Sequence, residues 1–325
     1  MPGQVTHRDA RYAYLISWER NGAARAAARL LAQGGRVHFT GREISMSGRV
    51  FPPGSLVVFR RNNPEDLPRI LEEVAFLASV DVLGVDSGLT QAGPDLGSAQ
   101  LTRMREPRVA VLGDQGISPT SVGATWFLLD QLYGISNSVV PLQSLTDRLL
   151  EDYTVLVLPD AWSVGAYAGA VDSATVDVLK RWVRRGGVLV GLGNGAFFAS
   201  ADHAGLASVA MAPAADSGEE LSDEERELRE KRRKLESSEE RERRDRLEVL
   251  PGTIFKVRVD PRHPLGFGYG KEAQVLLTTD QALELGPEGT NVAWFTAAPI
   301  RVINEGCDPA WSPDGKSLDY AAERV

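Results

Sequence analysis

A glycine-dense turn is the first stretch of this sequence whose residue types suggest chemistry. It reads GGVLVGLGNGAFFAS over residues 186–200, so that an apolar run leads into three glycines and then into small and aromatic residues. A strand, a tight glycine turn and a helix form nucleotide-binding sites in many α/β proteins, because glycine lets the backbone approach a phosphate at the helix N-terminus. The same order also forms nucleophile elbows, in which the residue at the centre of the turn attacks the substrate.

The residues that follow the turn give the nucleotide interpretation little support. Gly191, Gly193 and Ala196 satisfy the G-x-G-x-x-[GA] spacing. An acidic residue at the end of the next strand, about 20 residues further on, should then bind the ribose. Here that region reads MAPAADSGEE and enters a charged segment. A dinucleotide is therefore disfavoured, although the turn stays open as a small-ligand site.

The elbow interpretation lacks its nucleophile. Residues 191–195 read G-L-G-N-G, and the central residue, Gly193, has no side chain, so covalent catalysis from that position is impossible. Cys307 lies far downstream and is interpreted as a bystander thiol. We therefore predict a degenerate elbow and no catalytic residue. The elbow consists of Gly191, Gly193, Asn194 and Gly195.

The four histidines do not have the spacing of a zinc site. None of them begins an H-x-x-E or H-E-x-x-H motif, which would bring two ligands to one metal ion. His38 lies on a predicted strand and His263 precedes a proline, so that packing and turn roles are favoured for both. We predict no metal site in this chain. The other two histidines are His7 and His203.

Polar residues at the ends of predicted strands mark a second candidate site. Ser118, Thr120 and Ser121 follow the strand RVAVLGD, where they could bind an anion at a helix N-terminus or cap the helix. Capping is the favoured interpretation. Asp86, Asp95, Asp114 and Asp160 also end predicted strands or enter the loops after them, where the sites of parallel α/β sheets lie. Because none of these residues has a predicted partner base or metal ligand, they indicate a possible binding pocket but no catalytic or metal site.

The composition is that of a globular soluble protein. The chain has 325 residues, of which 43% are hydrophobic and 25% charged, and its net charge of -8 argues against nucleic-acid binding. No apolar run reaches about 18 residues, so we expect no membrane span. The first residues lack the apolar core of a signal peptide, and the localisation stays open. A single cysteine, Cys307, excludes an intrachain disulfide and a multi-cysteine metal site.

Strands and helices alternate along the chain in two series. Alternation of this kind predicts a largely parallel sheet in each series. Asn63 is the predicted cap of the second helix. The first series has strands at 12–18, 36–39 and 80–87, a turn and a strand within 48–61, and helices at 21–35 and 63–79. The second has strands at 108–114, 153–160 and 188–193 and helices at 118–134 and 172–187.

These series predict two domains. Residues 1–105 form a small α/β domain, and residues 106–305 form a second α/β domain. A segment at 214–249, in which almost every residue is charged, interrupts the second domain and predicts a solvated helix or a disordered insert. Residues 306–325 are predicted to be an irregular tail.

Several blocks of sequence also carry a family resemblance. They include YAYLISWERNGAARAAARLL, RVAVLGDQGISPTSVGATWFLLDQLYG and LKRWVRRGGVLVGLGNGA, and together they cover roughly residues 10–300. In order and content they resemble the C-terminal half of large bacterial zinc carboxypeptidases of the carboxypeptidase A type. In that family a zinc peptidase domain precedes a class I glutamine amidotransferase-like domain that a charged segment interrupts.

The resemblance implies a fold and a role. It implies that the second domain is a flavodoxin-like, class I glutamine amidotransferase-like parallel sheet with helices on both faces. This chain has no counterpart of the family's catalytic residues, which are the H-x-x-E zinc ligands, a later histidine ligand and a general-base glutamate. The resemblance therefore implies that zinc binds to a peptidase domain outside this chain. The family is often exported.

We therefore expect a non-catalytic accessory region that packs on, or shapes access to, a zinc peptidase domain or subunit. Two alternatives stay open. One is a hydrolase with an unrecognised site at the strand ends of the second domain. The other is a small-ligand-binding module that uses the turn at residues 191–195.

Overall fold

The computed structural model describes residues 2–212, 254–276, 279, 281–286, 288–295, 310–311 and 318–319. The chain divides into two compact units. Of the described residues, those within 2–211, 259–271 and 283–292 belong to the first unit, and the others belong to the second. The predicted insert at 214–249, most of the predicted tail at 306–325 and Cys307 lie outside the described residues. The predicted domain boundary near residue 105 stays a prediction.

Residues 5–103 contain a six-stranded sheet and a small hairpin. The eight strands are β1 (Val5–Thr6), β2 (Ala13–Ile16), β3 (Val37–Thr40), β4 (Ile44–Met46), β5 (Arg49–Phe51), β6 (Leu56–Phe59), β7 (Val82–Val85) and β8 (Leu101–Arg103). The sheet has the order β1-β7-β2-β6-β3-β8, and β4 pairs with β5 in the hairpin.

Two amphipathic helices, α1 (Gly22–Ala32) and α2 (Leu67–Ala78), pack against one face of this sheet. Their apolar residues recur every three or four positions, so that one stripe of each helix is buried. Leu30 of α1 and Leu71 of α2 lie in the same buried cluster as Tyr14 of β2. The other face of the sheet packs against the hairpin through a second cluster, which includes Ile44 and Phe51.

The prediction that this first sheet is largely parallel is wrong. Among its described strand pairs, β1–β7 is parallel, whereas β2–β6, β2–β7, β3–β6 and β3–β8 are antiparallel. Strand β6 lies between β2 and β3, and β2 lies between β6 and β7. This is the split β-α-β arrangement of β-α-β-β-α-β folds. An alternating sequence does not say which strands become neighbours, and therefore fits both arrangements.

The predicted cap of α2 is also wrong. The helix begins at Leu67, with Asp66 at the N-cap position. Asn63 instead joins two strand ends, because its Oδ1 accepts a hydrogen bond of 2.7 Å from the Arg36 backbone N–H and its Nδ2 donates one of 2.7 Å to the Phe59 carbonyl. An asparagine that precedes a helix can bond any nearby backbone group, and here the sheet supplies the partners.

A second sheet contains β9 (Val109–Leu112), β10 (Asn137–Val140), β11 (Val155–Leu158) and β12 (Val188–Gly191). All its strand pairs are parallel, and the order is β10-β9-β11-β12. Numbered within this sheet the order is 2-1-3-4, which is the flavodoxin-like order up to its fourth strand. The carboxyl ends of β9, β11 and β12 therefore meet at one edge, where ligand sites of such sheets lie.

Helices cover both faces of this parallel sheet. On one face Val111 and Val157 pack with Val122 and Leu129. On the other face Leu156 and Leu158 belong to a cluster that contains residues of several helices. The predicted α/β class, with a flavodoxin-like second sheet, is confirmed. The helices are α3 (Pro119–Trp126), which continues as a π-helix at Phe127–Tyr133, α4 (Asp147–Leu150), α5 (Val164–Ala170), α6 (Ser173–Arg184) and α7 (Asn194–Ala199).

The remaining strands are short. A three-stranded sheet has the order β14-β13-β15, and a further pair, β16–β17, is antiparallel. Among the described helices none is long and apolar enough to cross a bilayer. These strands are β13 (Ile254–Val259), β14 (Glu272–Leu276), β15 (Ala293–Phe295), β16 (Ala310–Trp311) and β17 (Leu318–Asp319), and 3₁₀ turns lie at Leu142–Ser144 and Pro264–Gly266.

Candidate functional site

The glycine turn forms a sharp strand-to-helix bend. Strand β12 ends at Gly191 and α7 begins at Asn194. Gly193 has φ +52° and ψ −125°, a conformation that a residue with a Cβ adopts only under strain. The Gly193 carbonyl accepts a hydrogen bond of 2.9 Å from the Ala196 N–H, so that the helix starts directly after the bend. This is the local geometry of an elbow, in which strain at the central residue exposes its side chain.

The side chain of Asp160 fills the space beside Gly193. A Cβ added to Gly193 would clash with Asp160 Oδ1 and would lie 2.6 Å from Asp160 Cγ. The neighbouring Gly195 is just as confined, because a Cβ there would clash with the carbonyl oxygen of Leu158. The turn therefore needs glycine at 193 for two reasons, the positive φ and the presence of the Asp160 carboxylate.

Asp160 also binds the donors at the start of α7. Its Oδ1 accepts hydrogen bonds from the Asn194 backbone N–H at 2.8 Å, the Asn194 Nδ2 at 3.0 Å and the Ala161 N–H at 2.9 Å. In a working elbow, the backbone N–H of the residue after the nucleophile stabilises the oxyanion. Asn194 holds that position here. One carboxylate thus lies in the nucleophile's space and also accepts the hydrogen bond that the backbone N–H at position 194 would donate to an oxyanion.

Two of the three predicted hydroxyl residues connect α3 to Asp160. The Asp160 N–H donates to Ser121 Oγ at 2.9 Å, and the Ser118 N–H donates to the Asp160 carbonyl at 2.9 Å. Ser118 Oγ accepts a bond of 3.3 Å from the Ser121 N–H and caps α3, as the favoured interpretation expects. Thr120 is exposed. The anion-binding role of these residues stays a prediction.

The structure places Asp114 at the end of the neighbouring strand β9. Both its carboxylate oxygens accept backbone hydrogen bonds, Oδ1 from Gln115 at 2.7 Å and Oδ2 from Leu142 at 3.2 Å. Asp114 borders an open cavity of about 510 Å³ that is lined mainly by apolar groups such as Trp126 and Val139. Among the described contacts no hydrogen bond joins Asp114 to Asp160.

Tyr167 of α5 supports the loop that carries Asp160. Its side chain is fully buried and stacks on Phe198 with ring centroids 5.2 Å apart. Its hydroxyl donates a bond of 2.7 Å to the Pro159 carbonyl. Burial, and secondly the charge of Asp160, raise the pKa of Tyr167 well above its ordinary value. The hydroxyl therefore stays protonated at neutral pH and acts as a structural donor.

Comparison with known proteins identifies no family. No protein-family model matches the chain, and none of the curated proteins matches it. Among solved structures the chain is similar to a protein described as a GMP synthase subunit from Thermoplasma acidophilum, at 15% identity and a TM-score of 0.36. The match covers 58% of this chain and 74% of that one. The fold assignment rests on the strand order above, and the zinc carboxypeptidase resemblance gains no support from these comparisons.

The structure also reveals a contact between His7 and Asp86 that sequence reasoning missed. His7 and Asp86 directly follow β1 and β7, which are parallel neighbours, and His7 Nε2 lies 3.0 Å from Asp86 Oδ2. The Arg11 backbone N–H donates to Asp86 Oδ1 at 2.8 Å. This bond, and secondly the one from His7, hold the pKa of Asp86 below its ordinary value. The sequence marked Asp86 only as an acid at a strand end, and no motif joins it to a residue so far away in the chain.

The other histidines that the sequence singled out have packing and turn roles. His38 packs edge-on against Phe59, and burial, followed by the charge of Arg103, lowers the pKa of His38. His263 Nδ1 accepts a hydrogen bond of 3.2 Å from the Leu265 N–H in a 3₁₀ turn. In the part of the chain that the structure describes, no three His, Cys, Asp or Glu side chains are grouped to hold a metal ion.

Proposed function

We propose that this chain is a non-catalytic α/β region that acts as an accessory to a zinc peptidase domain of the carboxypeptidase A type. The observation that carries the non-catalytic part is the position of the Asp160 carboxylate beside Gly193. The peptidase partner is inferred from the sequence resemblance alone.

The electrostatics of the turn support this proposal. Acyl transfer at an elbow needs a nucleophile at the central residue and donors that stabilise a developing negative charge. Residue 193 is glycine, and the Asn194 N–H already binds the Asp160 carboxylate at 2.8 Å. A carboxylate at this position would repel an oxyanion. The site would therefore destabilise the negatively charged transition state of acyl transfer, which a working elbow stabilises.

Strand β12 offers a surface on which an accessory region could bind its partner. Val188 and Val190 alternate along it and lie on the same face of the sheet, and the two residues are 52% and 37% exposed. No described strand pairs with the outer edge of β12, and the strand VLVG carries no charge. Edge strands are usually protected by charged residues, and exposed apolar patches mark interaction sites.

The non-catalytic part is tested by assaying the purified chain, with added zinc, against C-terminal peptide substrates and glutamine. We expect no turnover above the enzyme-free rate. The variant Gly193→Cys should stay equally inactive, because the Asp160 carboxylate would still occupy the turn. Peptide hydrolysis that a chelator abolishes would overturn the non-catalytic proposal.

The accessory part is tested by titrating the chain with a purified bacterial zinc peptidase domain of the carboxypeptidase A type. Calorimetry should detect binding, and the variant Val190→Lys should weaken it at least about tenfold, since a buried charge in an apolar contact is costly. Val50→Lys is the matched control, because Val50 is an exposed valine of β5 in the hairpin. If the wild-type chain shows no binding, the accessory role is wrong and the non-catalytic proposal still stands.

A further inference from the structure

A cavity of about 350 Å³ lies where the β4–β5 hairpin meets one end of the six-stranded sheet. Strand β2 ends at Ile16, which is paired with Val82 at the start of β7, so the segments that adjoin these two residues leave the sheet side by side. These segments supply one wall of the cavity, and β5 of the hairpin supplies another. The volume is within the range of small-molecule pockets, which is about 300–1,000 Å³.

Four charged side chains line this cavity, and their signs balance. Glu19, Arg20 and Asp81 come from the sheet end, whereas Arg49 is the first residue of β5. All four residues are exposed. None of the ion pairs among the described residues involves any of the four. Two cations and two carboxylates therefore line one cavity without a described charged partner.

Both carboxylates keep an oxygen that can bind a ligand. Glu19 Oε2 accepts a hydrogen bond of 3.2 Å from Ser17 Oγ, and Asp81 Oδ1 accepts one of 3.2 Å from the Gln4 backbone N–H. The second oxygen of each carboxylate has no described hydrogen-bond partner. Because both residues are exposed, each carboxylate can accept a further hydrogen bond from a charged donor.

The balance of charges restricts the chemistry of a ligand. A phosphate group would be attracted by the arginines but repelled by Glu19 and Asp81. A molecule that carries one charge of each sign can pair with both sets, and such complementarity sets the specificity of a charged site. Val50, which is 56% exposed, adds apolar surface at the cavity, and Phe51 and Leu83 form the buried part of its lining.

We propose that this cavity binds a free α-amino acid with an aliphatic side chain. The two arginines pair with its carboxylate, Glu19 and Asp81 pair with its ammonium group, and Val50 packs against its side chain. Such a molecule carries both charges at neutral pH, because its amino group is protonated and its carboxyl group is ionised. None of the lining residues belongs to the elbow turn or to β12. The proposal therefore stands or falls independently of the accessory function proposed above.

The experiment uses three probes that share one aliphatic group. L-leucine has both charges, 4-methylpentanoate lacks the ammonium group, and 3-methylbutylamine lacks the carboxylate. Two-dimensional NMR titration of the full chain at pH 7 measures the three dissociation constants. L-leucine should bind at least about fivefold more tightly than either of the others, since each of these loses an ion pair and keeps a repulsion. If L-leucine does not bind, or if either singly charged probe binds as tightly, the proposal is overturned.

Two variants that each remove one charge locate the binding site. Arg49→Gln should weaken L-leucine about threefold to fivefold, the size of one exposed ion pair, and leave 3-methylbutylamine no weaker. Asp81→Asn should weaken L-leucine by a similar factor and leave 4-methylpentanoate no weaker. The matched controls are Arg42→Gln and Asp9→Asn, because both residues are exposed and neither lines the cavity. If each variant weakens L-leucine no more than its control does, net charge rather than this cavity accounts for binding, and the proposal is wrong.

Discussion

The contact between Gly193 and Asp160 predicts a measurable coupling between substitutions at the two positions. Gly193→Ala should destabilise the fold for two reasons. A non-glycine residue at φ +52° and ψ −125° is strained by about 1–3 kcal/mol, and the new Cβ would clash with the Asp160 carboxylate. Overpacking of this kind costs about 1–3 kcal/mol more. We expect a total loss of about 2–6 kcal/mol, which is the sum of these two ranges.

The second substitution, Asp160→Ala, removes the clash but also removes an acceptor. Three donors, two from Asn194 and one from Ala161, lose the Asp160 Oδ1. Because this site is half-buried, water can replace part of that bonding, and we expect a loss of about 2–3 kcal/mol. Once the carboxyl group is gone, the nearest atom of residue 160 to the new Cβ is its own Cβ, at 3.1 Å. The overpacking part should then largely disappear.

The double variant should therefore be more stable than the sum of the single variants predicts, by about 1–2 kcal/mol. Urea unfolding, followed by tryptophan fluorescence, measures the three free energies of unfolding. Gly134→Ala is the matched control, since Gly134 also has a positive φ, +73°, but no described atom lies within 4 Å of an added Cβ. Its effect should add to that of Asp160→Ala. Additivity within about 0.5 kcal/mol for Gly193→Ala would refute the inference that the carboxylate fills the turn.

Two further predictions concern buried hydroxyl groups. Ser200→Ala should leave the free energy of unfolding unchanged or raise it by up to about 1 kcal/mol, because the buried Ser200 Oγ has no described hydrogen-bond partner. Ser55→Ala should lower the free energy of unfolding by about 1–2 kcal/mol, because Ser55 Oγ donates a hydrogen bond of 2.7 Å to the Pro52 carbonyl. Urea unfolding of both variants checks this. The raised pKa of Tyr167 means that the folded chain keeps this proton when the unfolded chain loses it. This group should therefore lower the free energy of unfolding by about 1.4 kcal/mol per pH unit above pH about 10. In unfolding measured as a function of pH, the free energy of the Tyr167→Phe variant should fall less steeply by that amount.

Local features of this protein were well predicted from the sequence. The apolar runs at 109–112 and 155–158 form the predicted parallel strands, and Ser118 caps α3. The bend at Gly193 follows a strand and precedes a helix, as its glycines indicate. These features depend on residues a few positions apart, whose hydrophobicity and backbone preferences are visible in the sequence.

Features that depend on neighbours distant in the sequence were not predicted. Asn63 precedes a helix, yet it bonds to Arg36, 27 residues away, because β3 and β6 are adjacent. The antiparallel first sheet has the same cause, since β6 lies between β2 and β3. His7 and Asp86 meet only because β1 pairs with β7.

The sequence by itself determined that residue 193 cannot act as a nucleophile, because glycine has no side chain. It also determined where the elbow bend lies. Only the tertiary structure decided what occupies the bend. Asp160 and Asn194 are 34 residues apart, and they meet because the carboxyl ends of the parallel strands β11 and β12 share one edge of the sheet. Strand pairing, rather than any local pattern, thus places a carboxylate where an elbow would carry out its chemistry.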